Sequence, residues 1–357
     1  MAKNIGVLVV DDSAFMRKVL TDILESTEDI KVLSTAKNGV EALEKAKAIK
    51  PDVITMDVEM PAMDGLSCLK ELQKITDAPV IMLSSLTRNG EIATIEALEF
   101  GAVDFITKPI GIFKISEDEK KKEIIEKVRM AKNIKKRKCI VENTKVVRPP
   151  DHTVNANNKE NSNLKTLIAV GTSTGGPKAL QEVLTCIPEN IPAAFVIVQH
   201  MPPGFTKSMA ERLNTLCSIS VKEAENDELI RPGYAYIAPG DFHMEVVNPP
   251  NDILKIKLTQ EAPVGGHRPA VNIMMNSIAA TGFQSVIGII MTGMGSDGSE
   301  GIVNIKKSNN GIIISQDELS CVVYGMPKSA VNTGVVDVVV PLKEIAGVIV
   351  KYMGVDQ

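Results

Sequence analysis

A serine, a histidine and an aspartate each occupy a glycine- or proline-bounded turn that follows an apolar run. They are Ser173 in Gly171-Thr172-Ser173-Thr174-Gly175-Gly176-Pro177, His200 in Gln199-His200-Met201-Pro202-Pro203, and Asp297 in Thr292-Gly293-Met294-Gly295-Ser296-Asp297-Gly298. These residue types suit a hydroxyl nucleophile activated by a base that a carboxylate orients. Glycines beside Ser173 permit a tight turn and close substrate approach. Pro177 suits a first helical turn, and N–H groups at that helix start can hold an oxyanion. The chain has four histidines. His152 falls in a polar stretch, and His243 and His267 compete for the base role. His200 is preferred because its strand end reaches the same rim as Ser173.

Two other readings of the glycines fail. A phosphate-binding P-loop needs Gly-Lys-Ser/Thr, whereas Gly176 is followed by Pro177-Lys178-Ala179. A dinucleotide fingerprint needs GxGxxG, which Gly171, Gly175 and Gly176 do not form. The order Ser, His, Asp also differs from chymotrypsin, subtilisin and the α/β-hydrolases, and no G-x-S-x-G elbow is present.

The first third of the chain carries a different chemistry. Asp11 and Asp12 follow the first apolar run, Asp57 the third, Ser84 the fourth and Lys108 the fifth. Strand ends of a doubly wound sheet are neighbours, so these groups meet at one rim. Crowded carboxylates repel, and a hard divalent cation such as Mg²⁺ relieves them. No ligand set with zinc spacing occurs in the second half, so hydrolysis there is expected to need no metal.

Composition narrows the class. The chain has 357 residues, 44% hydrophobic and 24% charged, with a net charge of −4. That length suits two domains, and the charge gives no general pull toward nucleic acid. Without tryptophan, base-stacking platforms are not expected, and the second half is too sheet-rich for a helix-turn-helix output. No apolar run approaches the ~20 residues of a membrane helix, so no membrane insertion is expected. Asp11 and Asp12 interrupt the N-terminal apolar run, unlike a secretory signal. Five scattered cysteines without a CxxC pair fit reduced thiols and a cytoplasmic location.

The elements that must position these residues follow from periodicity. Apolar runs at Ile5–Val10, Ile30–Ala36, Val53–Met56, Pro79–Leu83 and Val103–Ile106 alternate with helical patterns such as Phe15–Leu24 and Val40–Ala48. This rhythm predicts a parallel sheet covered by helices on both faces. Lys120–Lys138 is basic and extends the last helix, and Asn143–Asn163 reads as a flexible linker. A second strand–helix succession begins at Leu167–Val170 and continues through Ala194–Val198, Val286–Met291, Gly311–Ser315 and Val335–Val340. Within it Tyr234–Ala238, His243–Val247 and Leu254–Leu258 alternate and are joined by turn residues, predicting antiparallel hairpins attached to the sheet. The fold class is therefore α/β, two doubly wound and mostly parallel sheets, with domains at 1–120 and 164–357 and a basic extension and linker at 121–163.

Residues 1–120 resemble the receiver domain of bacterial response regulators through Val9-Val10-Asp11-Asp12-Ser13, Met56-Asp57 to Asp64-Gly65, Leu83-Ser84-Ser85 and Thr107-Lys108-Pro109. The resemblance implies a flavodoxin-like fold in which Asp57 accepts a phosphoryl group from a histidine kinase. It further implies that Asp11, Asp12, Asp57 and the Glu59 backbone carbonyl hold Mg²⁺, and that Ser84 and Lys108 sense the phosphoryl oxygens. Phe105 stands where many receivers carry a switching aromatic. Ser84 replaces the commoner threonine.

Residues 165–350 resemble the catalytic domain of the chemotaxis protein-glutamate methylesterases. The shared motifs are Gly171–Leu180, Gln199–Phe205, Ala238-Pro239-Gly240-Asp241, Gly266-His267-Arg268-Pro269, Thr292–Gly298 and Val323–Lys328. That family implies hydrolysis of glutamyl methyl esters on chemoreceptor cytoplasmic helices and deamidation of receptor glutamines. In its scheme Ser173 attacks, His200 moves the proton, Asp297 orients His200, and the N–H groups of Thr174 and Met294 hold the oxyanion.

Overall fold

The computed structural model describes residues 4–108, 117–134, 164–248 and 253–354. The chain divides into two compact units, Met1–Glu142 and Asn143–Gln357.

The first unit runs β1 (Ile5–Val10), α1 (Ala14–Leu24), β2 (Ile30–Ala36), α2 (Gly39–Ile49), β3 (Val53–Asp57), α3 (Gly65–Ile75), β4 (Val80–Ser84), α4 (Arg88–Glu99), β5 (Asp104–Thr107) and α5 (Glu117–Lys132). Its sheet has the order β2-β1-β3-β4-β5 and every pairing is parallel. Strands β1, β3 and β4 are wholly buried, as expected where helices cover both faces. Each buried Val or Ile there contributes about 1.5–3 kcal/mol, an upper bound because unfolded chains are already partly collapsed.

Four helices of this unit start at side-chain caps: Ser13, Asn38, Asp64 and Thr87 each accept a first-turn N–H. Helix α5 belongs to the core of this unit, because Ile124, Val128 and Ala131 pack with Val7, Leu24 and Ile106. Its basic residues are ion-pair partners, Arg129 to Asp29, Lys132 to Asp52 and Lys127 to Asp104. The linker expected over 143–163 lies outside the described residues.

The second unit runs β6 (Thr166–Thr172), α6 (Gly176–Leu184), β7 (Ala193–Gln199), α7 (Phe205–Asn214), β8 (Ser220–Glu223), β9 (Tyr234–Ile237), β10 (His243–Val247), β11 (Lys255–Thr259), α8 (Val271–Ala280), β12 (Val286–Ile290), α9 (Ser299–Asn309), β13 (Ile312–Gln316), α10 (Met326–Asn332), β14 (Val338–Val340) and α11 (Leu342–Tyr352). Seven strands form one parallel sheet in the order β14-β13-β12-β6-β7-β9-β8. Only one antiparallel pair, β10 with β11, stands apart among the described residues.

One expectation is corrected here. Tyr234–Ala238 was expected to form a hairpin, but β9 joins the main sheet, parallel to both β7 and β8. Ala235, Tyr236 and Ile237 are all buried, which is the signature of a covered parallel strand rather than a two-faced hairpin. The Tyr236 hydroxyl is satisfied locally, donating to Leu229 O and accepting from Arg231 N.

Candidate active site

The sheet order of the second unit places its loops. From β6 the chain steps to β7 on one side and later to β12 on the other, so strand order reverses between β6 and β12. Ligands of open α/β sheets bind at the carboxyl ends beside such a reversal. Ser173 follows β6, His200 follows β7, and the loop with Asp297 follows β12.

Three helices that leave this rim, α6, α7 and α9, begin at positive-φ glycines, Gly175 (φ 78°), Gly204 (φ 86°) and Gly298 (φ 95°), with no side-chain cap. This contrasts with the capped helices of the first unit and keeps the rim backbone bare.

His200 gives Nε2 to Asp297 Oδ2 at 2.8 Å. The carboxylate also accepts the Val271 N–H at 2.6 Å and the Asn272 N–H at 2.9 Å, at the start of α8. Burial alone would raise the Asp297 carboxyl, but the imidazole and these N–H groups hold it below the usual carboxylate range. Asn272 is a residue that sequence reasoning missed: its Oδ1 accepts from Gly298 N and Gly301 N, fixing the aspartate loop.

The other imidazole nitrogen, Nδ1 of His200, is buried and has no hydrogen-bond partner among the described residues. The imidazole therefore keeps a lone pair for a proton, with Asp297 fixing the tautomer. The Ser173 loop is pinned against it from both sides. Ser173 N donates to Thr292 O at 3.0 Å, and Ser173 O accepts from Gly176 N at 2.8 Å and from Gln199 Nε2 at 2.9 Å. His200 N donates to Thr172 O at 3.2 Å. No hydrogen bond joins the Ser173 hydroxyl to the imidazole here, and such contacts commonly tighten only around bound substrate.

Gly293 is required by close approach: a Cβ there would lie 2.8 Å from Ser173 Cβ and against Met326 Sδ. Its N–H is spent on Val323 O, while that of Met294 is spent on no described group. Thr174 is buried, and its carbonyl accepts from the Thr292 hydroxyl at 2.9 Å.

His243 is engaged elsewhere. Its Nδ1 accepts from Ala270 N and its Nε2 faces Ala262 O, so both nitrogens serve a buried loop contact. His267 does reach the site, stacked on His200 with ring centres 3.9 Å apart. The Gly266–Pro269 motif was visible in the sequence, but nothing in its spacing announced the stack. His152 lies outside the described residues.

The first unit shows the same logic. Its strand order reverses between β1 and β3, and Asp11, Asp12 and Asp57 meet there within 4.8 Å of one another. Lys108 Nζ lies 2.9 Å from Asp11 Oδ2 and 2.7 Å from Asp57 Oδ2. One ammonium thus balances two of the three carboxylates. Burial pushes the Asp57 carboxyl up to about 6 although Lys108 opposes the shift. Three carboxylates converging within 4.8 Å, with a single ammonium against them, fit a hard divalent cation.

Glu59 N approaches Asp57 Oδ1 at 3.3 Å, which places its backbone beside the cluster. Ser84 is buried at the end of β4; its hydroxyl accepts from Thr94 Oγ1 at 2.7 Å and donates toward Gly90 O. Phe105 is buried, with Lys127 Nζ 5.3 Å from its ring centre.

A reversed-strand acidic pocket in one unit, and a rim bearing a serine, a histidine and an aspartate in the other, define a receiver joined to a second parallel-sheet α/β domain. Residues 7–118 match the response regulator receiver domain, and residues 168–349 match the CheB methylesterase family. The protein-glutamate methylesterase/protein-glutamine glutaminase of Halalkalibacterium halodurans is 48% identical over 351 residues, covering 98% of this chain and 99% of its own. Its counterpart from Pyrococcus horikoshii is 44% identical over 351 residues, 98% of this chain and 94% of its own. The crystal structure of the Thermotoga maritima CheB methylesterase catalytic domain superimposes with a TM-score of 0.50 at 41% identity, over 53% of this chain and 98% of that one. The chain belongs to the CheB methylesterase family.

Proposed function

We propose that this protein hydrolyses glutamyl methyl esters on the cytoplasmic helices of chemoreceptors, releasing methanol, and deamidates receptor glutamines in chemotactic adaptation. Ser173 Oγ attacks the ester carbonyl while His200 Nδ1 takes its proton, and Asp297 stabilises the imidazolium through Nε2. The N–H groups of Thr174 and Met294 hold the tetrahedral oxyanion. His200 then protonates the departing methanol, or ammonia from a glutamine, leaving a glutamyl ester on Ser173. Water activated by the same histidine hydrolyses that ester to a glutamate. No metal takes part in these steps.

Asp57 is the phosphorylation site, served by a histidine kinase, and the receiver regulates the hydrolase. A bound Mg²⁺ would neutralise charge around the incoming phosphoryl group. Asp11, Asp12, Asp57 and the Glu59 carbonyl would hold it, and Lys108 and Ser84 would face the phosphoryl oxygens. Receptor helices and kinase place this work in the cytoplasm.

The observation that carries this reading is the His200–Asp297 contact at the mouth of the Ser173 loop. Its test is methanol release from methyl-labelled receptor membranes by the full-length protein. Ser173→Ala should abolish release and leave the protein folded, since truncating a loop hydroxyl removes little packing. Near-parent turnover by that variant overturns the reading.

A further inference from the structure

Beneath the rim, adjacent strands end in buried polar residues: Thr172 on β6, Gln199 on β7, Gln316 on β13, and Thr292 just after β12. Each reaches sideways. Thr172 Oγ1 donates to Thr292 O at 3.0 Å, and Thr292 N donates to Gln316 Oε1 at 2.8 Å. Polar side chains in a dry interior are expensive unless they organise something.

Gln199 spans the two loops that matter most. Its Nε2 donates to Ser173 O at 2.9 Å and to His200 O at 3.3 Å. An oxygen in that place would face two acceptors, which fixes the amide's orientation. Gln199 as a whole is 2% exposed. Its Oε1 is buried without a hydrogen-bond partner among the described residues. Gly176 makes room for it, since a Cβ there would collide with Gln199 Oε1. A buried amide that leaves one acceptor unpaired in order to bind two loop carbonyls is not there for packing alone.

We propose that Gln199 is a positioning residue for the hydrolysis: its amide ties the main chain of the nucleophile to that of the base. This rests on Ser173 and His200 filling those roles. The mechanism is geometric. Ser173 N is anchored by the β12 loop and Ser173 O by Gln199, so the serine's Cα cannot pivot away from His200. Without the amide, the serine loop keeps its attachments to Thr292 and Gly176 and, one residue earlier, the Thr172 O bond to His200 N, but Ser173's own carbonyl loses its tie to the base segment.

The test uses full-length Gln199→Met, which keeps length without the donor, and Gln199→Glu, which keeps shape but turns the donor into an acceptor. Three quantities are read: kcat and KM for methanol release from receptor membranes, the labelling rate of Ser173 by a small fluorophosphonate, and the thermal midpoint. Misplacement of reacting groups predicts kcat and labelling both about 10- to 100-fold lower, with KM unchanged. Gln199→Glu should be the slower of the two in labelling of the folded fraction, and the thermal midpoint reports separately what burying its carboxyl costs in stability.

Parent-like kcat and labelling in folded Gln199→Met overturn the proposal. So does a rate loss that merely tracks unfolding, with the folded fraction labelling at the parent rate. Ser173→Ala, assayed alongside, separates the two ideas. If it still releases methanol, the nucleophile assignment fails and the clamp with it; if it is dead while Gln199→Met is normal, only the clamp fails.

Discussion

The imidazole of His267 lies flat on that of His200, its ring centre 3.9 Å away and its plane 8° from parallel. Asp297 grips the edge of His200 and His267 covers one face, so two kinds of tilt are restrained at once. The covering loop is itself anchored: Arg268 Nε pairs with Asp241 Oδ1 at 3.1 Å, and its Nη1 donates to Gln260 O and Glu261 O. An aromatic pair is worth about 0.5–1.5 kcal/mol, so His267→Ala should slow kcat by roughly 2- to 10-fold. His267→Phe should restore most of it. Equal turnover by parent and His267→Ala would show that the stack orients nothing.

Asp297→Asn tests the carboxylate. Turnover should fall by up to roughly 10⁴-fold if the tautomer is lost. The same variant has a stability signature. In the folded chain the Asp297 carboxyl titrates below its ordinary range, so its ionised form stabilises folding above that range. That contribution disappears as pH falls through the folded value. Urea midpoints of parent and variant should therefore converge on acidification; a gap that widens contradicts the assignment.

Gly293→Ala asks how little space the nucleophile has. The added methyl would press on Ser173 Cβ and Met326 Sδ, and Met326 is wholly buried. Displacing the serine by a few tenths of an ångström should lower kcat about 10-fold or more with little change in receptor binding. A fully active Gly293→Ala protein would mean that the close approach is incidental.

Chelation separates the two chemistries. EDTA should stop phosphorylation of Asp57 by a small phosphodonor and leave basal methanol release unchanged. Asp57→Asn should hold the full-length protein at its basal rate with or without donor. Loss of basal hydrolysis in EDTA would refute a metal-free serine mechanism.

The sequence made the strands and the charged groups at their ends legible. Ile5–Val10 and Ile30–Ala36 have the same limits in sequence and structure: the first is an unbroken apolar run, the second a mixed, β-branched-rich edge strand, and both are bounded by polar turns. What stayed hidden depends on partners far along the chain. β8, Ser-Val-Lys-Glu, is too polar to stand out from a loop and forms as an edge strand only because β9 is beside it. Tyr234–Ile237 read as a hairpin strand because Tyr and Ala alternate; its pairing with β7 is a long-range choice. Asn272 carries no local signal, and the motif around His267 does not announce its stack on His200, since both contacts arise where α8 and the preceding loop pack under the rim.

The choice of ring nitrogen on His200 sets a limit on reach. Nε2, the atom farther from the main chain, is committed to Asp297, so the nitrogen without a hydrogen-bond partner among the described residues is Nδ1, one bond from Cγ. A base so near its own backbone cannot extend outward to follow a wandering hydroxyl, and rotating the ring would break the bond to Asp297. The serine turn must come to the histidine. Lengthening the Gly171–Gly176 turn by a single residue should thus be far more damaging than changing side chains on its outer surface, so variation in substrate preference has to be accommodated elsewhere on the rim.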